Sequence, residues 1–164
     1  PIRLLDIGGG AGLADLDLRK EYPVDKLEIT VIGNINDIRK DLRKPLRGIF
    51  RSSTENELKS NKIRFISTDF SRYDRGEPEE ITGGFDIIIA SHSLKWIAEK
   101  RVNEKPDFFK EGVQDEVKKE MILKVREMLS PNGVALIAPY DQNIEYEIEG
   151  LELNHDGVSF SRSE

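Results

Sequence analysis

Four residues near the start of the chain have types and a spacing that suit the binding of a nucleotide-derived ligand. Asp6, Gly8, Gly10 and Gly12 form the pattern D-x-G-x-G-x-G directly after the apolar run 2–5. Glycine has no Cβ, so it adopts positive φ readily and lets a ligand approach bare backbone N–H groups. The pattern predicts a strand that turns sharply into a helix at the ligand-binding edge of an α/β sheet. A tight turn that binds no ligand is the alternative.

The spacing of the glycines separates two kinds of cofactor loop. A dinucleotide-binding loop has G-x-G-x-x-G, which would place the third glycine at position 13, where this chain has Leu13. The spacing instead resembles motif I of the class I S-adenosylmethionine (SAM)-dependent methyltransferases. That resemblance implies that one acid and four glycines surround the methionine part of SAM. These residues are Asp6, Gly8, Gly9, Gly10 and Gly12.

A second segment carries the same resemblance. Asp69 and Phe70 follow the strand-like run 63–67. Methyltransferases of this class commonly have an acid there that accepts a hydrogen bond from the adenine amino group, next to an apolar residue that lies against the ring. The resemblance therefore implies that Asp69 and Phe70 hold the adenine. The alternative role for Asp69 is to cap the turn that follows.

The most concentrated apolar run, 85–90, ends in Ser91 and His92 and resembles the fourth-strand motif of the family. The loop after this strand faces the transferred methyl group, because ligands bind outside the carboxyl ends of the strands. The resemblance places Ser91 at the cofactor, and it makes His92 a candidate general base for the acceptor. The alternative is that His92 only bonds to backbone, since an in-line transfer needs little beyond alignment.

One expected residue is missing after the second strand-like run, 27–32. The family usually has an acid there that accepts hydrogen bonds from both ribose hydroxyls. This chain has Asn34 and Asn36 instead, and its first carboxylate is Asp37. An asparagine amide oxygen can accept one such bond, so either asparagine is predicted to hold the ribose more weakly. Alternatively, Asp37 reaches back or the cofactor is bound differently.

Periodic runs predict the elements that position these residues. The glycine turn precedes a helix from Ala14 to about Glu21, and a second helix is predicted from Gln114 to Leu129. Ser130 to Gly133 is predicted to form a turn. Apolar or alternating runs predict strands at Ile2–Leu5, Leu27–Ile32, Ile63–Ser67, Phe85–Ala90 and Val134–Ala138. The fold class expected is a Rossmann-like doubly wound α/β sheet, mostly parallel, with helices on both faces.

The end of the chain is predicted to form an antiparallel hairpin. Residues 144–153 alternate, Asn154 to Gly157 is a favourable turn, and Val158 to Phe160 is the return strand. No room remains for a helix between Tyr140 and Ile144. We therefore expect one domain over residues 1–164, with a shortened hairpin region at 141–164. Because Pro1 lies directly before a strand-like run, we also expect that the natural chain begins earlier.

Composition narrows the function classes. A net charge of −6 argues against broad affinity for nucleic acid, and the absence of cysteine excludes disulfides and a cysteine nucleophile. With no membrane-spanning run, the expected location is cytoplasmic. No metal site is predicted. The basic stretch Arg39–Arg51 makes RNA a conceivable partner, but a solvated helix face is the favoured interpretation.

The resemblance implies a SAM-dependent methyltransferase that acts on an oxygen or nitrogen of a small molecule or other acceptor. The sequence Ser91 to Leu94 lacks the N/D-P-P-Y tetrapeptide of enzymes that methylate adenine or glutamine amines. The alternative from another class is a degenerate methyltransferase-like binding or scaffold domain, which the missing ribose acid favours. A dehydrogenase-type NAD domain fits less well.

Overall fold

The computed structural model describes residues 1–10, 12–33, 53–67, 81–91, 113–138, 150–153 and 159–162. The strands within these ranges are β1 (Ile2–Ile7), β2 (Leu27–Gly33), β3 (Arg64–Ser67), β4 (Phe85–Ser91), β5 (Leu129–Ala138), β6 (Leu151–Leu153) and β7 (Ser159–Arg162). The helices within them are α1 (Leu13–Glu21), α2 (residues 53–60) and α3 (Val113–Met128).

All seven described strands belong to one sheet with the order β3-β2-β1-β4-β5-β7-β6. The neighbours from β3 to β5 pair in parallel, and β7 pairs antiparallel with both β5 and β6. The predicted mostly parallel sheet with an antiparallel C-terminal hairpin is therefore confirmed. The order reverses between β1 and β4, and ligands of such sheets bind at the carboxyl ends of the strands beside this reversal.

Alternation along the strands sends side chains into two cores, one on each face of the sheet. We call them the α3-side core and the α1-side core, after the helix that covers each. Members of the α3-side core include Leu5, Ile7, Ile32, Ile88, Ile122, Val125 and Met128. The α1-side core comprises Leu4, Leu16, Leu27, Ile29, Val31, Leu58 and Ile63. A sheet buried on both faces explains why its central strands are continuous apolar runs.

The predicted turn at Ser130–Gly133 lies inside a strand. β5 begins at Leu129, and the register along β4 moves from Phe85 opposite Leu129 to Ile87 opposite Val134. Three extra residues on β5 are thus accommodated as a bulge between these two pairs. A Cβ at Gly133 would lie 2.8 Å from the carbonyl oxygen of Phe85, so the bulge needs glycine at this close approach.

Asp86, the acid embedded in the apolar fourth strand, has a structural role at the amino end of the sheet. Its carboxylate accepts a hydrogen bond from the backbone N–H of Arg3 at 2.9 Å and another from Ser130 Oγ at 3.0 Å. The Arg3 guanidinium donates to the carbonyls of Gly83 and Gly84. These bonds join the starts of β1, β4 and β5, far from the carboxyl ends where the site residues were predicted.

Candidate cofactor site

The loop after β1 is held in the conformation that its glycines allow. We call residues 8–12 the glycine loop; residue 11 lies outside the described residues. The φ angles of Gly8, Gly10 and Gly12 are +78°, +59° and +74°, which side-chain-bearing residues rarely adopt. The Gly8 N–H donates to the carbonyl of Ile32 at 2.7 Å, and the Gly12 N–H donates to that of Gly9 at 2.9 Å.

Close approach, as well as φ, requires glycine around this loop. A Cβ at Gly9 would collide with Oδ2 of Asp6 and lie 2.8 Å from Cγ1 of Val31. A Cβ at Gly33, the last residue of β2, would collide with the carbonyl oxygen of Gly10. The loop therefore lies directly against the carboxyl ends of β1 and β2.

One side of the loop is open. Among the described residues, and apart from its two chain neighbours, a Cβ at Gly10 would meet no atom within 4 Å. Among the described residues, no acceptor takes the N–H groups of Gly9 and Gly10, whereas those of Gly8 and Gly12 are bonded within the protein. Two free donors beside open space form an arrangement that suits an anionic ligand group, such as a carboxylate.

A pair of carboxyl groups lies beneath the loop. Asp6 is on β1, and Asp15 is in the first turn of α1 with only 3% of its surface exposed. The two side chains lie within hydrogen-bonding reach of each other, and a hydrogen bond between two carboxyl groups requires a proton on one of them. Oδ2 of Asp15 is buried, and no described residue donates a hydrogen bond to it. A fully ionised pair would therefore be costly in this interior.

Burial raises the pKa values of both acids, and the charge of Asp6 raises that of Asp15 further. For Asp15, desolvation is the largest cause, followed by the charge of Asp6, and the pKa rises from 3.8 to about 7. Desolvation also raises the pKa of Asp6, while its hydrogen bond to Asp15 acts in the opposite direction. A hydrogen bond donated by a protonated Asp15 to an ionised Asp6 raises the pKa of Asp15 and lowers that of Asp6, which accounts for both effects of the bond. At pH 7 the Asp15 carboxyl is thus about half protonated.

The described residues bring together part of the predicted site. Gly8, Gly9, Gly10 and Gly12 lie in the predicted turn at the carboxyl end of β1, and Asp6 lies near the end of that strand. Ser91 is the exposed last residue of β4, and Ile89, two residues earlier, is opposite Asp6 in the sheet. The other predicted site residues lie outside the described residues: Asn34, Asn36, Asp69, Phe70 and His92.

Asp15 is the site residue that sequence reasoning missed. An acid in the first turn of a helix is ordinary, because it interacts favourably with the helix N-terminus. On α1, Leu13 is 57% exposed, whereas Asp15 and Arg19 are buried together with Leu16. The available signal was the position of a second acid directly after a glycine turn that itself follows Asp6.

A separate apolar groove lies at the other end of α1. Its volume is about 860 Å³, and its lining includes Ile2, Leu18, Tyr22, Leu27 and Ile87. No glycine-loop residue lines it. Because its described walls are mostly apolar, with Asp25 and Lys26 as their charged members, it does not match a site for a charged, hydroxyl-rich cofactor.

Solved structures with the same architecture identify the fold. The chain is similar to the plantazolicin methyltransferase BamL, solved with a triazolic desmethylPZN analogue and SAH, with a TM-score of 0.50 and 18% identity over 84% of this chain. It is also similar to the CurJ carbon methyltransferase, with a TM-score of 0.50 and 19% identity over 83% of this chain. It has the class I SAM-dependent methyltransferase fold.

Sequence comparison adds no closer relative to this fold assignment. No family model matches the chain, and no curated protein matches it in sequence. The chain spans 37% of the BamL chain and 28% of the CurJ chain, so it corresponds to a part of each. No helix among the described residues is long and apolar enough to cross a membrane.

Proposed function

We propose that this chain binds SAM at the carboxyl ends of β1 to β4 and transfers its methyl group to an oxygen or nitrogen of an acceptor. The observation that carries the proposal is the glycine loop, because it combines free N–H donors with open space at the reversal point of a methyltransferase-type sheet. The likeness to BamL, whose structure contains SAH, supports the choice of cofactor.

The donor set of the loop fits the methionine end of SAM. That end carries a carboxylate and an ammonium group on one carbon. The N–H groups of Gly9 and Gly10 suit the carboxylate, and the Asp6 carboxylate suits the ammonium once it is ionised. The missing side chain at Gly10 leaves room for the ligand to approach the backbone.

The residues that would bind the ribose and the adenine of SAM are assigned by resemblance to the methyltransferase family. Asn34 or Asn36 would accept a ribose hydroxyl after β2, Asp69 and Phe70 would hold the adenine after β3, and Ser91 would lie beside the cofactor at the end of β4. The strand ends that precede these residues in the sequence lie at one edge of the sheet, since Gly33 pairs with Ser67 at the ends of β2 and β3. This shared edge supports their common assignment.

SAM supplies a methyl group on a positively charged sulfur, which a nucleophile attacks in line with the departing sulfur. The chain's task is to align the acceptor and to take its proton. His92 directly follows Ser91, and an imidazole can accept a proton near neutral pH. We assign His92 this role for a hydroxyl or amine acceptor. A carbon acceptor, the type named for CurJ, is the competing class.

A binding or scaffold role is the second candidate. The carboxyl end of β2 continues as Gly33, Asn34, Ile35 and Asn36, without the acid that usually takes the ribose hydroxyls. An asparagine in that role accepts fewer hydrogen bonds than a carboxylate. A domain that has lost cofactor binding would retain the sheet and the loop while failing to bind SAM.

Calorimetric titration with SAM and with SAH tests the proposal. We expect micromolar dissociation constants, corresponding to about −8 kcal/mol, and at least tenfold weaker binding by Gly10→Ala. Its methyl group would occupy the open side of the loop at φ +59°. Gly84→Ala is the matched control, because Gly84 also has positive φ (+93°) but lies at the amino end of β4.

The outcomes separate the two candidates. If wild-type and Gly84→Ala bind SAM and Gly10→Ala binds poorly, the loop is the cofactor site, and His92→Gln can then be assayed against acceptors. If the folded wild-type protein gives no heat with either ligand, the methyltransferase proposal is wrong and the scaffold role stands.

A further inference from the structure

We propose that Asp6 and Asp15 share one proton in the free protein, and that binding of SAM at the glycine loop releases it. Asp15 then acts as a positioning residue that makes cofactor affinity rise with pH. This inference rests on the proposed function, because it concerns the same site.

Geometry supplies the first step. Only 3% of the surface of Asp15 is exposed. No described residue donates a hydrogen bond to one of its carboxyl oxygens, Oδ2. Asp6 lies close enough to hydrogen-bond it. Two carboxylates in contact repel each other, and a shared proton removes one charge and supplies the missing donor.

The loop is built directly on this pair. The position of a Gly9 Cβ is taken by Oδ2 of Asp6, so the Asp6 carboxyl lies immediately under the backbone that carries the free N–H groups. A ligand bound to those groups through its carboxylate would place its neighbouring ammonium within reach of Asp6. A positive charge within about 4–6 Å favours the ionised carboxylate.

Other charged groups surround the pair without bonding to it. Arg19 lies one turn further along α1, where its Nη1 donates to the carbonyls of Tyr22 and Leu27. Asp17 pairs with Lys20 on the exposed side of α1. The remaining charged residues on the same and neighbouring described elements are Arg3 on β1, Glu21 on α1, Glu28 on β2, Arg64 on β3, Glu55, Glu57 and Lys59 on α2, and Asp86 on β4. Within the described part of the chain, Asp6 is the charged group that shifts the pKa of Asp15.

The balance of the step is simple. In the free protein the proton is bonded to one carboxyl oxygen of Asp15 and is donated to Asp6. When the ligand's ammonium arrives, the O–H bond breaks and the proton passes to solvent buffer. Both carboxylates are then ionised beside one cation, and no electrons are transferred.

Calorimetry in buffers of different ionisation enthalpy measures this proton. At pH 6.5, below the range in which an α-amino group loses its own proton, SAM should release about half a proton or more from the wild-type protein. Asp15→Asn should release close to none, because its amide can bond to an already ionised Asp6. Asp17→Asn, on the same helix, should match the wild-type protein.

The choice of ligand isolates the responsible charge. SAH keeps the ammonium but not the sulfonium charge, so it should release the same proton. Methylthioadenosine lacks the amino-acid end and should release none. In parallel, the dissociation constant of SAM should fall up to tenfold per pH unit between pH 5.5 and 6.5 in wild-type protein and stay flat in Asp15→Asn.

The failures are distinguishable. SAM binding without proton release overturns this inference and leaves the proposed function standing. Absence of SAM binding at every pH overturns both, and carbon NMR of the aspartate carboxyls then shows whether the pair is only structural. If Asp15→Asn does not fold, the wild-type protein alone still tests the inference. Release of equal numbers of protons on binding of SAM and of methylthioadenosine would overturn it.

Discussion

Asp15 makes the stability of the fold depend on pH. Its pKa is raised to about 7 in the folded state, against 3.8 for an ordinary aspartate, because it is buried and faces Asp6. The folded state therefore binds more protons than the unfolded state between these values. The free energy of unfolding must then decrease as pH rises through this window, and the stabilising contribution is fully present only below about pH 4.

Replacing Asp15 with asparagine should remove this dependence. We expect Asp15→Asn to be more stable than the wild-type protein above pH 7, by about 4 kcal/mol at most, with the difference vanishing near pH 4. Urea unfolding at a series of pH values measures it. Asp17→Asn removes the same charge from an exposed pair on the same helix. Its free energy of unfolding should change with pH as steeply as that of the wild-type protein. An unchanged slope in Asp15→Asn would contradict the shared proton.

The junction between β2 and the glycine loop couples sheet geometry to ligand binding. Gly33 ends β2 and packs against the carbonyl oxygen of Gly10, with no space for a methyl group. We expect Gly33→Ala to push the loop outward, to destabilise the fold by about 1–3 kcal/mol, and to weaken SAM binding at least tenfold. Thermal unfolding and calorimetry measure the two effects.

A second glycine offers the matched control for that experiment. Gly133→Ala should also clash with a backbone carbonyl, that of Phe85, but in the β5 bulge near the amino end of β4. It should lower stability while leaving the dissociation constant for SAM unchanged in the folded fraction. Equal losses of affinity in both variants would mean that general destabilisation, rather than loop position, controls binding.

Strands were predictable from sequence because a sheet covered on both faces demands continuous apolar runs. The runs at Ile2 and Phe85, for example, begin where β1 and β4 begin. The glycine loop was predictable because its backbone conformation needs glycine itself. The β5 bulge was not, since Ser130 to Gly133 has the composition of a free turn and only its pairing with β4 shows that it is part of a strand.

Buried polar positions escaped prediction for a different reason. On α1, Asp15 is buried and Leu13 is exposed, because the helix is oriented by the loop that precedes it as well as by its own leucines. Tertiary contacts thus override the amphipathic pattern of a nine-residue helix. Which acid faces Asp6 depends on that orientation, so the pair becomes visible only in the folded structure.

One sheet carries both cores, so the two faces of the molecule are expected to unfold together. Alternate side chains of the same strands enter opposite cores; Leu4 and Leu5 of β1 are neighbours in sequence but lie on different faces. Loss of either core would expose the apolar side chains on that face of the central strands. The hairpin β6–β7 extends this sheet through β5. These links support the expectation of a single cooperative domain.

Core substitutions on opposite faces test that cooperativity. Leu16→Ala in the α1-side core and Met128→Ala in the α3-side core should each destabilise the protein by about 3 kcal/mol, since both side chains are buried. Leu13→Ala, on the same helix as Leu16 but 57% exposed, should change stability little. Far-ultraviolet circular dichroism and tyrosine fluorescence should report one shared transition in every variant. A sheet that holds both cores together cannot lose one of them alone, which is why one transition is expected. Two separated transitions in Met128→Ala would contradict this and show that the α3 face unfolds independently.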